Sequence, residues 1–344
     1  MKVALVSSFV PHVRGGYRFI VDWLEVKLKE RGHQVECVYL PFNEQPDRLL
    51  AQMTAYRFVD LEAADRVICF RPPAHLVQHR HKVVWFIHHF RGFYDLWDSP
   101  YRSVPDTPKG RALRQTIIDA DTRGLREARR VFSNSRVVGD RLRDFNGVES
   151  EVLYPPILHP GQYRCDGYGD EVVFLSRIEP HKRQDLLVRA LGYTRTPVRV
   201  RLCGASFTES YVADLKEHAT RLGVSDRLAI ENRWISEEEK LDILASCLAV
   251  AYLPLDEDSY GYASLEACHS RKCVITTTDS GGVLELIEDG VNGLVCPPEP
   301  AALAERLDAL FSDRSLAERL GERASARPME LGIDWDTVIG NLLA

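Results

Sequence analysis

The stretch KVALVSSFVPHVRGGYRFIVDWLEVKLKERGHQVECVYL, residues 2–40, decides the fold class. Its first eight residues are nearly all apolar or small, the pattern of a strand covered on both faces. Phe19, Ile20, Trp23, Leu24, Val26 and Leu28 then recur at helical spacing, Gly32 ends the helix, and 33–40 reads as the next strand. Strand, helix and strand in this order make a β-α-β unit, which joins parallel strands by a crossover helix. A dinucleotide fingerprint is missing, because Gly15 and Gly16 lie too far from the first strand and no GxGxxG follows it.

Working outward, further strands are expected at 66–70, 82–87 and 131–133, with a helix over 109–128. Residues 148–160, VESEVLYPPILHP, hold three prolines and no helical period, which marks a linker. The alternation then restarts. Strands fit 171–175, 198–203, 228–231, 249–252 and 273–277. Helices fit 185–191, 209–222, 237–245, 261–269, 283–288, 300–312 and 334–343. The expected organisation is an N-terminal Rossmann-like domain over 1–155 and a second over 156–328. A last segment, 329–344, forms a helix crossing back to the first.

Composition agrees with two folded domains: 344 residues, 45% hydrophobic and 27% charged, against a prior of roughly 100–200 residues per domain. Disordered and low-complexity classes are excluded. No apolar run approaches the ~20 residues of a membrane span, and the start lacks the long apolar core of a secretory signal. A cytoplasmic location is expected. The net charge of −6 is uneven. Residues 1–155 carry 24 Lys+Arg against 19 Asp+Glu, and the basic excess lies in 101–143, with 11 against 5. Either this is a solvated helix face or the N-terminal half meets an anionic partner. The eight cysteines show no CxxC pair and are expected reduced, most of them buried. His79, His81, His88 and His89 gather near one strand, but no carboxylate or Cys completes a tetrahedral set, so no metal is expected.

Two segments carry the chemistry. Residues 253–295 read LPLDEDSYGYASLEACHSRKCVITTTDSGGVLELIEDGVNGLV. Asp258 and Glu266 have seven residues between them, and Gly261 precedes the helix that bears Glu266. The strand 273–277 runs to the Gly281 and Gly282 turn, and Glu285 sits in the helix beyond. Glycine lets backbone approach a ligand closely, and free N–H groups at helix starts attract phosphate. The second segment is VVFLSRIEPHKRQDLLVRAL, residues 172–191. Arg177 follows a strand and Lys182 precedes a helix, five positions apart, where the two cations could neutralise a diphosphate leaving group without a metal.

In this order, Arg-x4-Lys, Gly204 at a strand end, the two-carboxylate motif, Gly-Gly-x-x-Glu and Asn-Gly-Leu-Val resemble the retaining GT-B glycosyltransferases of family four, the glycosyl transferases group 1. The resemblance spans about 172–310 and continues more weakly through the N-terminal half. There VVWFIHHFRGFYDLWDSPY and SNSRVVGDRL resemble bacterial members that build surface polysaccharides. It implies a GT-B architecture: α/β, two Rossmann-like parallel-sheet domains facing each other across a cleft. It implies a retaining, metal-independent hexosyltransferase with no cofactor beyond its nucleotide-sugar substrate, GDP- or UDP-linked, and a glycan or lipid-linked acceptor. No nucleic-acid partner is implied. Peripheral contact with an anionic membrane through the N-terminal half is a further expectation.

Residue by residue, the resemblance gives Arg177 and Lys182 the donor diphosphate, together with the backbone N–H groups after Gly15 and Gly282, and it counts Gly16 and Gly281 among the donor-binding residues. Glu266 takes the ribose, Asp258 lies beside the transferred sugar, and Glu285 holds the turn near the phosphates. Gly204 stands at a donor-side strand end, and Arg233, Trp234 and Ile235 lie near the nucleobase. His88, with His89 as the alternative, faces the sugar from the N-terminal domain. His89, Arg91, Arg102, Lys109, Arg111 and Arg114 are the acceptor-side candidates. The sequence departs from the family at three places. Asp258 stands where Glu is usual, Tyr260-Gly261-Tyr262 replaces the commoner Gly-Phe-Gly run, and Arg183 follows the phosphate-binding Lys where Gly is common. Arg183 either adds a cation or caps its helix differently. The competing readings are a nucleotide-sugar epimerase or phosphorylase on the same fold, and a non-catalytic sugar-binding protein.

Overall fold

The structure is a computed structural model that describes residues 1–12 and 15–344, so Val13 and Arg14 of the opening stretch lie outside the described residues. The chain forms two compact units: residues 1–156 with 332–344, and residues 157–331.

In the first unit the strands are β1 (Lys2–Phe9), β2 (Gln34–Pro41), β3 (Arg66–Cys69), β4 (Lys82–Phe86), β5 (Arg130–Ser133) and β6 (Glu151–Val152). Its helices are α1 (Gly16–Glu30), α2 (Pro46–Tyr56), α3 (Pro108–Arg126) and α4 (Arg136–Asn146). The sheet is parallel throughout, in the order β2-β1-β3-β4-β5-β6. β1 buries six consecutive residues, as a strand with a helix layer on each face must, whereas the edge strand β2 begins with exposed–buried alternation. The expected β-α-β unit is therefore present.

Two helices escaped the periodicity reading. α2 presents a narrow seam of Leu49, Met53 and Tyr56, and α4 has a charge-rich outer face. α4 nevertheless carries clear end signals: Ser135 accepts the Val138 N–H, and Gly147 closes the helix at φ 57°. Trp85, Tyr94 and Trp97 are core residues. So is Lys82, whose Nζ donates to the carbonyls of His75 and Gly124, each at 2.8 Å, and lies 3.4 Å from Glu127. Burial lowers the Lys82 pKa. Lys82→Ala orphans both carbonyls and is expected to lower stability by about 2–4 kcal/mol, read as a lower urea midpoint.

The second unit holds β7 (Glu171–Leu175), β8 (Arg199–Cys203), β9 (Leu228–Glu231), β10 (Ala249–Ala251), β11 (Cys273–Thr277) and β12 (Gly293–Cys296). Its helices are α5 (Gln184–Leu191), α6 (Glu209–Arg221), α7 (Glu237–Ser246), α8 (Tyr262–His269), α9 (Val283–Leu286), α10 (Pro300–Ser312) and α11 (Arg314–Glu330). This sheet is also parallel, in the order β12-β11-β10-β7-β8-β9. Sequence periodicity missed β12 and α11. The buried face of α11 is Ala317, Leu320, Gly321, Ala324 and Pro328, mostly small residues that give little apolar signal. Gly321 is there because a Cβ would fall 2.0 Å from the Arg271 carbonyl oxygen.

The last helix, α12 (Trp335–Leu343), belongs to the first unit. The Arg66 guanidinium fixes it by donating to the carbonyls of Leu342, Leu343 and Ala344, each at 3.0 Å. All eight cysteines are free, six of them buried, and Cys37 and Cys165 are half-buried. Among the described residues no helix is long and apolar enough to cross a membrane.

The strand orders place the sites. In the first sheet the order reverses between β1 and β3, and in the second between β7 and β10. At such a switch point the connections leave in opposite directions, so the carboxyl ends of the two strands open a crevice for ligands.

Candidate functional site

At the β7/β10 switch point, residues far apart in sequence converge. The chain leaving β7 carries exposed Arg177 and then the short 3-10 turn Pro180–Lys182. Gln184 Nε2 donates to the Arg177 carbonyl at 2.9 Å and so fixes its backbone. The chain leaving β10 carries Tyr252, Glu257, Asp258 and Gly261. Lys182 Nζ donates to Tyr252 Oη at 3.1 Å and to the Glu257 carboxylate, and Tyr252 Oη donates to the same carboxylate oxygen at 3.1 Å. The expected diphosphate cation is thus 8% exposed and already paired, not a lone surface charge.

Burial works against the charge on Lys182, but Tyr252 and Glu257 outweigh it and hold the pKa above its ordinary value. Burial likewise pushes Glu257 up, and Lys182 more than reverses this. The pair is charged at neutral pH. Sequence reading missed Tyr252 and Glu257; their one available signal was position, directly beyond a strand end at a switch point.

The β11 loop joins the same cluster. Gly282 donates its N–H to the Glu257 carbonyl at 2.8 Å, and Gly281 bridges Glu257. A Cβ on Gly281, where φ is +60°, would meet the Glu257 oxygen at 2.5 Å. The amides of Gly282, Leu284 and Glu285 are all donated within the protein. The Val283 N–H is held more loosely, at 3.5 Å from Ser280. Glu285 is half-buried in α9, and its carbonyl lies 3.5 Å from Arg327 Nη2.

Glu266 is 5% exposed on α8. Lys240 Nζ of α7 donates to its Oε1 at 2.5 Å, and Tyr163 Oη donates to the same oxygen at 3.1 Å. Both donors load one oxygen, Oε1. Burial raises the Glu266 pKa, and Lys240 and Tyr163 oppose the shift. Nothing in the sequence pointed to Lys240, which lies on a different helix.

Other expected residues fall into place by geometry. Gly204 sits at φ +149°, where a Cβ would lie 1.8 Å from the Ser176 carbonyl oxygen, so its role is close approach between the ends of β7 and β8. The Arg233 guanidinium is held by Glu231 at 2.6 Å and by Glu239. Trp234 is 56% exposed and Ile235 half-buried. The Tyr260 side chain is 1% exposed, which makes it core beneath the loop. Gly261 and Tyr262 start α8, and Asp258 is half-buried in the preceding loop.

In the first unit, Gly15 is the N-cap of α1, and its carbonyl accepts the Arg18 N–H at 2.9 Å. Gly16 is the first helical residue, whose N–H precedes the intrahelical ladder. His88, beyond β4, is half-buried. Burial, with Arg71 adding to it, lowers its pKa to about 4, so it is neutral at pH 7. Its Nδ1 lies 2.8 Å from the His89 carbonyl, an acceptor only, so Nδ1 carries the proton and Nε2 is left to accept.

His89 does not fit the alternative role. It is 2% exposed, bonded to Asn146 Oδ1 at 2.9 Å and packed on Phe86 and Tyr94. The acceptor-side cations are partly committed as well: Arg91 to Asp95, Arg111 to Asp106, and Arg114 to the Phe93 carbonyl and the Trp97 ring. Arg102 and Lys109 are exposed. Among the described residues no group of three His, Cys, Asp or Glu could hold a metal ion.

A buried cation–carboxylate pair, a second cation and a close-packed glycine turn at one switch point suit an anionic ligand. Comparison with known proteins agrees. The family model "Glycosyl transferases group 1" matches residues 162–327. The human alpha-1,3/1,6-mannosyltransferase ALG2 is 26% identical over 297 residues, covering 79% of this chain and 69% of that protein. The D-inositol 3-phosphate glycosyltransferase of Xylanimonas cellulosilytica is 31% identical over 174 residues, covering 50% of this chain and 40% of that protein. Among solved structures, sucrose-phosphate synthase of Thermosynechococcus elongatus has a TM-score of 0.75 at 16% identity, covering 99% of this chain and 98% of that one. Anabaena HepE in complex with UDP-glucose has a TM-score of 0.71 at 19% identity, again covering 99% and 98%. These two likenesses are of fold, and the neighbours are GT-B glycosyltransferases. The match to the group 1 glycosyl transferases thus lies wholly inside the second parallel-sheet unit, residues 157–331, and the chain has the GT-B fold.

Proposed function

We propose that this protein is a retaining hexosyltransferase that moves a sugar from a nucleoside-diphosphate donor to a glycan or lipid-linked acceptor in bacterial surface-polysaccharide synthesis. The observation that carries the reading is Lys182, a buried ammonium held by Tyr252 and Glu257 at the switch point of the second sheet. On departure of the diphosphate, negative charge develops, and preorganised cations act where that charge appears. Lys182 and exposed Arg177 meet it, so side chains provide the leaving-group stabilisation. Glu266 accepts the ribose hydroxyls. Asp258 stands beside the transferred sugar, one C–C bond shorter than the Glu usual in the family. His88 accepts from a sugar hydroxyl through Nε2. Same-face attack, with the donor phosphate taking the acceptor proton, accounts for retention without a carboxylate nucleophile. Arg102 and Lys109 remain the exposed cations for an anionic acceptor.

The donor is tested with a panel of UDP- and GDP-hexoses, first by ligand-induced thermal shift and then with acceptors. Transfer with retained anomeric configuration supports the reading. Epimerisation of a donor in the absence of acceptor would replace it with the epimerase alternative, and donor binding with neither transfer nor hydrolysis would leave a sugar binder.

Lys240 offers a second test. Lys240→Met removes the cation that opposes burial at Glu266. The Glu266 pKa then rises further, its acceptor oxygen is protonated at higher pH, and donor affinity fails earlier on acidification. The variant is expected to weaken UDP or GDP binding about tenfold at pH 7, with the fall toward low pH displaced upward, by calorimetry between about pH 5 and 8. An unchanged profile would remove Lys240 from the site.

A further inference from the structure

Arg183 stands where a flexible glycine would suit the backbone. Its φ of 59° and ψ of 40° are left-handed, a region in which a Cβ is strained. Its guanidinium nevertheless makes five bonds. Nε donates to the Leu253 carbonyl at 2.6 Å, and Nη2 to the Pro254 carbonyl at 3.0 Å. Nη2 also donates to Thr277 Oγ1, and the fork closes on both Asp279 oxygens, all at 2.8 Å. Asp279 in turn accepts from Thr277 Oγ1, and its carbonyl accepts the Asp256 N–H at 2.9 Å. Arg183 holds the Asp279 carboxyl below its ordinary pKa, so the bidentate pair stays charged.

We infer that Arg183 and Asp279 form a strut that positions the diphosphate site; this deepens the donor reading above and rests on it. The strut joins the three loops from which that site is built. Lys182 is the adjacent residue on the β7 loop. Leu253 and Pro254 lead into Glu257, the counter-ion of Lys182. Asp279 leads into Gly281 and Gly282, which pack on Glu257. Arg183 holds the N-cap position of α5 without a side-chain cap bond; its guanidinium instead makes it a positioning residue that sets where the Lys182 ammonium stands relative to the glycine turn.

The test uses the full chain and measures the ratio of UDP to uridine affinity, or of GDP to guanosine affinity if the protein takes guanine. That ratio reads diphosphate recognition alone, whereas a general loosening of the unit weakens both ligands. Arg183→Gly suits the backbone angle, and Asp279→Asn keeps the side-chain shape if Asp279→Ala folds poorly. Each of Arg183→Gly and Asp279→Ala is expected to lower the ratio about tenfold, and the double variant no further, since both break one link. Arg183→Lys, which keeps a charge but not the fork, restores part of the loss. Ratios unchanged in both single variants, or losses that multiply in the double variant, overturn the strut. Lys182→Ala is the reference. If it lowers the ratio while the Arg183 and Asp279 variants do not, the strut alone fails. If it leaves the ratio unchanged, the donor-site reading fails and the strut with it.

Discussion

Lys182→Ala is expected to lower transfer turnover by about 10²–10³-fold, the scale on which removal of one preorganised donor to a developing anion acts. The loss falls mainly on turnover, because diphosphate charge grows toward the transition state. The substitution also strands Glu257. With Lys182 gone, burial alone acts on that carboxyl and drives its pKa up. The sign of the stability change follows. In the wild type the depressed Glu257 pKa contributes stability above the ordinary carboxylate value near 4.5, and this is lost as pH falls through the folded value. Lys182→Ala should therefore be most destabilised, relative to wild type, at neutral pH, with the gap closing as pH falls through the depressed wild-type Glu257 pKa. The double variant Lys182→Met/Glu257→Gln separates the two effects. It removes both charges, so stability should recover while turnover does not. Turnover within about threefold of wild type in Lys182→Ala would sink the assignment of its cation to the leaving group.

Gly204→Ala is the second large expectation, and it acts through backbone. The added methyl would sit 1.8 Å from the Ser176 carbonyl oxygen and 3.3 Å from the Arg177 nitrogen, at a φ of +149° that L side chains rarely adopt. Neither neighbour is a flexible side-chain end. Ser176 donates its N–H to the Cys203 carbonyl at 3.1 Å, and Gly204 donates to the Glu231 carbonyl at 3.1 Å, so ladder bonds lock both strand ends. A loss of about 3 kcal/mol or more is expected, which for a unit of this size is a melting shift of about 6–12 °C. Any folded fraction should bind UDP or GDP weakly, because relief of the clash displaces the segment that carries Arg177. A variant melting within about 2 °C of wild type would show that the strand ends can part without consequence.

Much of the fold was legible because its signals are local. Continuous apolar runs such as 2–9 and 171–175 name buried parallel strands, and 3.6-residue periodicity names the helices between them. Where an element buries mainly small or sparse residues, as α11 and α2 do, those signals are weak and the sequence reading passed over it. The motif positions were legible for the same reason. Arg177, Lys182, Asp258, Glu266 and the paired glycines keep fixed spacings beside strand ends, and the structure gathers Lys182, Glu257, Gly281 and Gly282 at one switch point. It also removed candidates that spacing could not judge. His89 and His88 are adjacent in sequence, yet one ring is packed in the core and the other is not.

The sequence by itself determined the class: parallel α/β units in succession, and an ordered set of motifs found in group 1 glycosyl transferases. Only the tertiary structure decided which groups share a charge. The partners of Lys182, Arg183 and Glu266 lie 26 to 103 residues away, on loops and helices whose meeting depends on strand order. Periodicity along a chain reports which face of an element is buried. It carries no information about which carboxylate a buried ammonium will find, because that is set by crossovers between strands that are neighbours in space and distant in sequence.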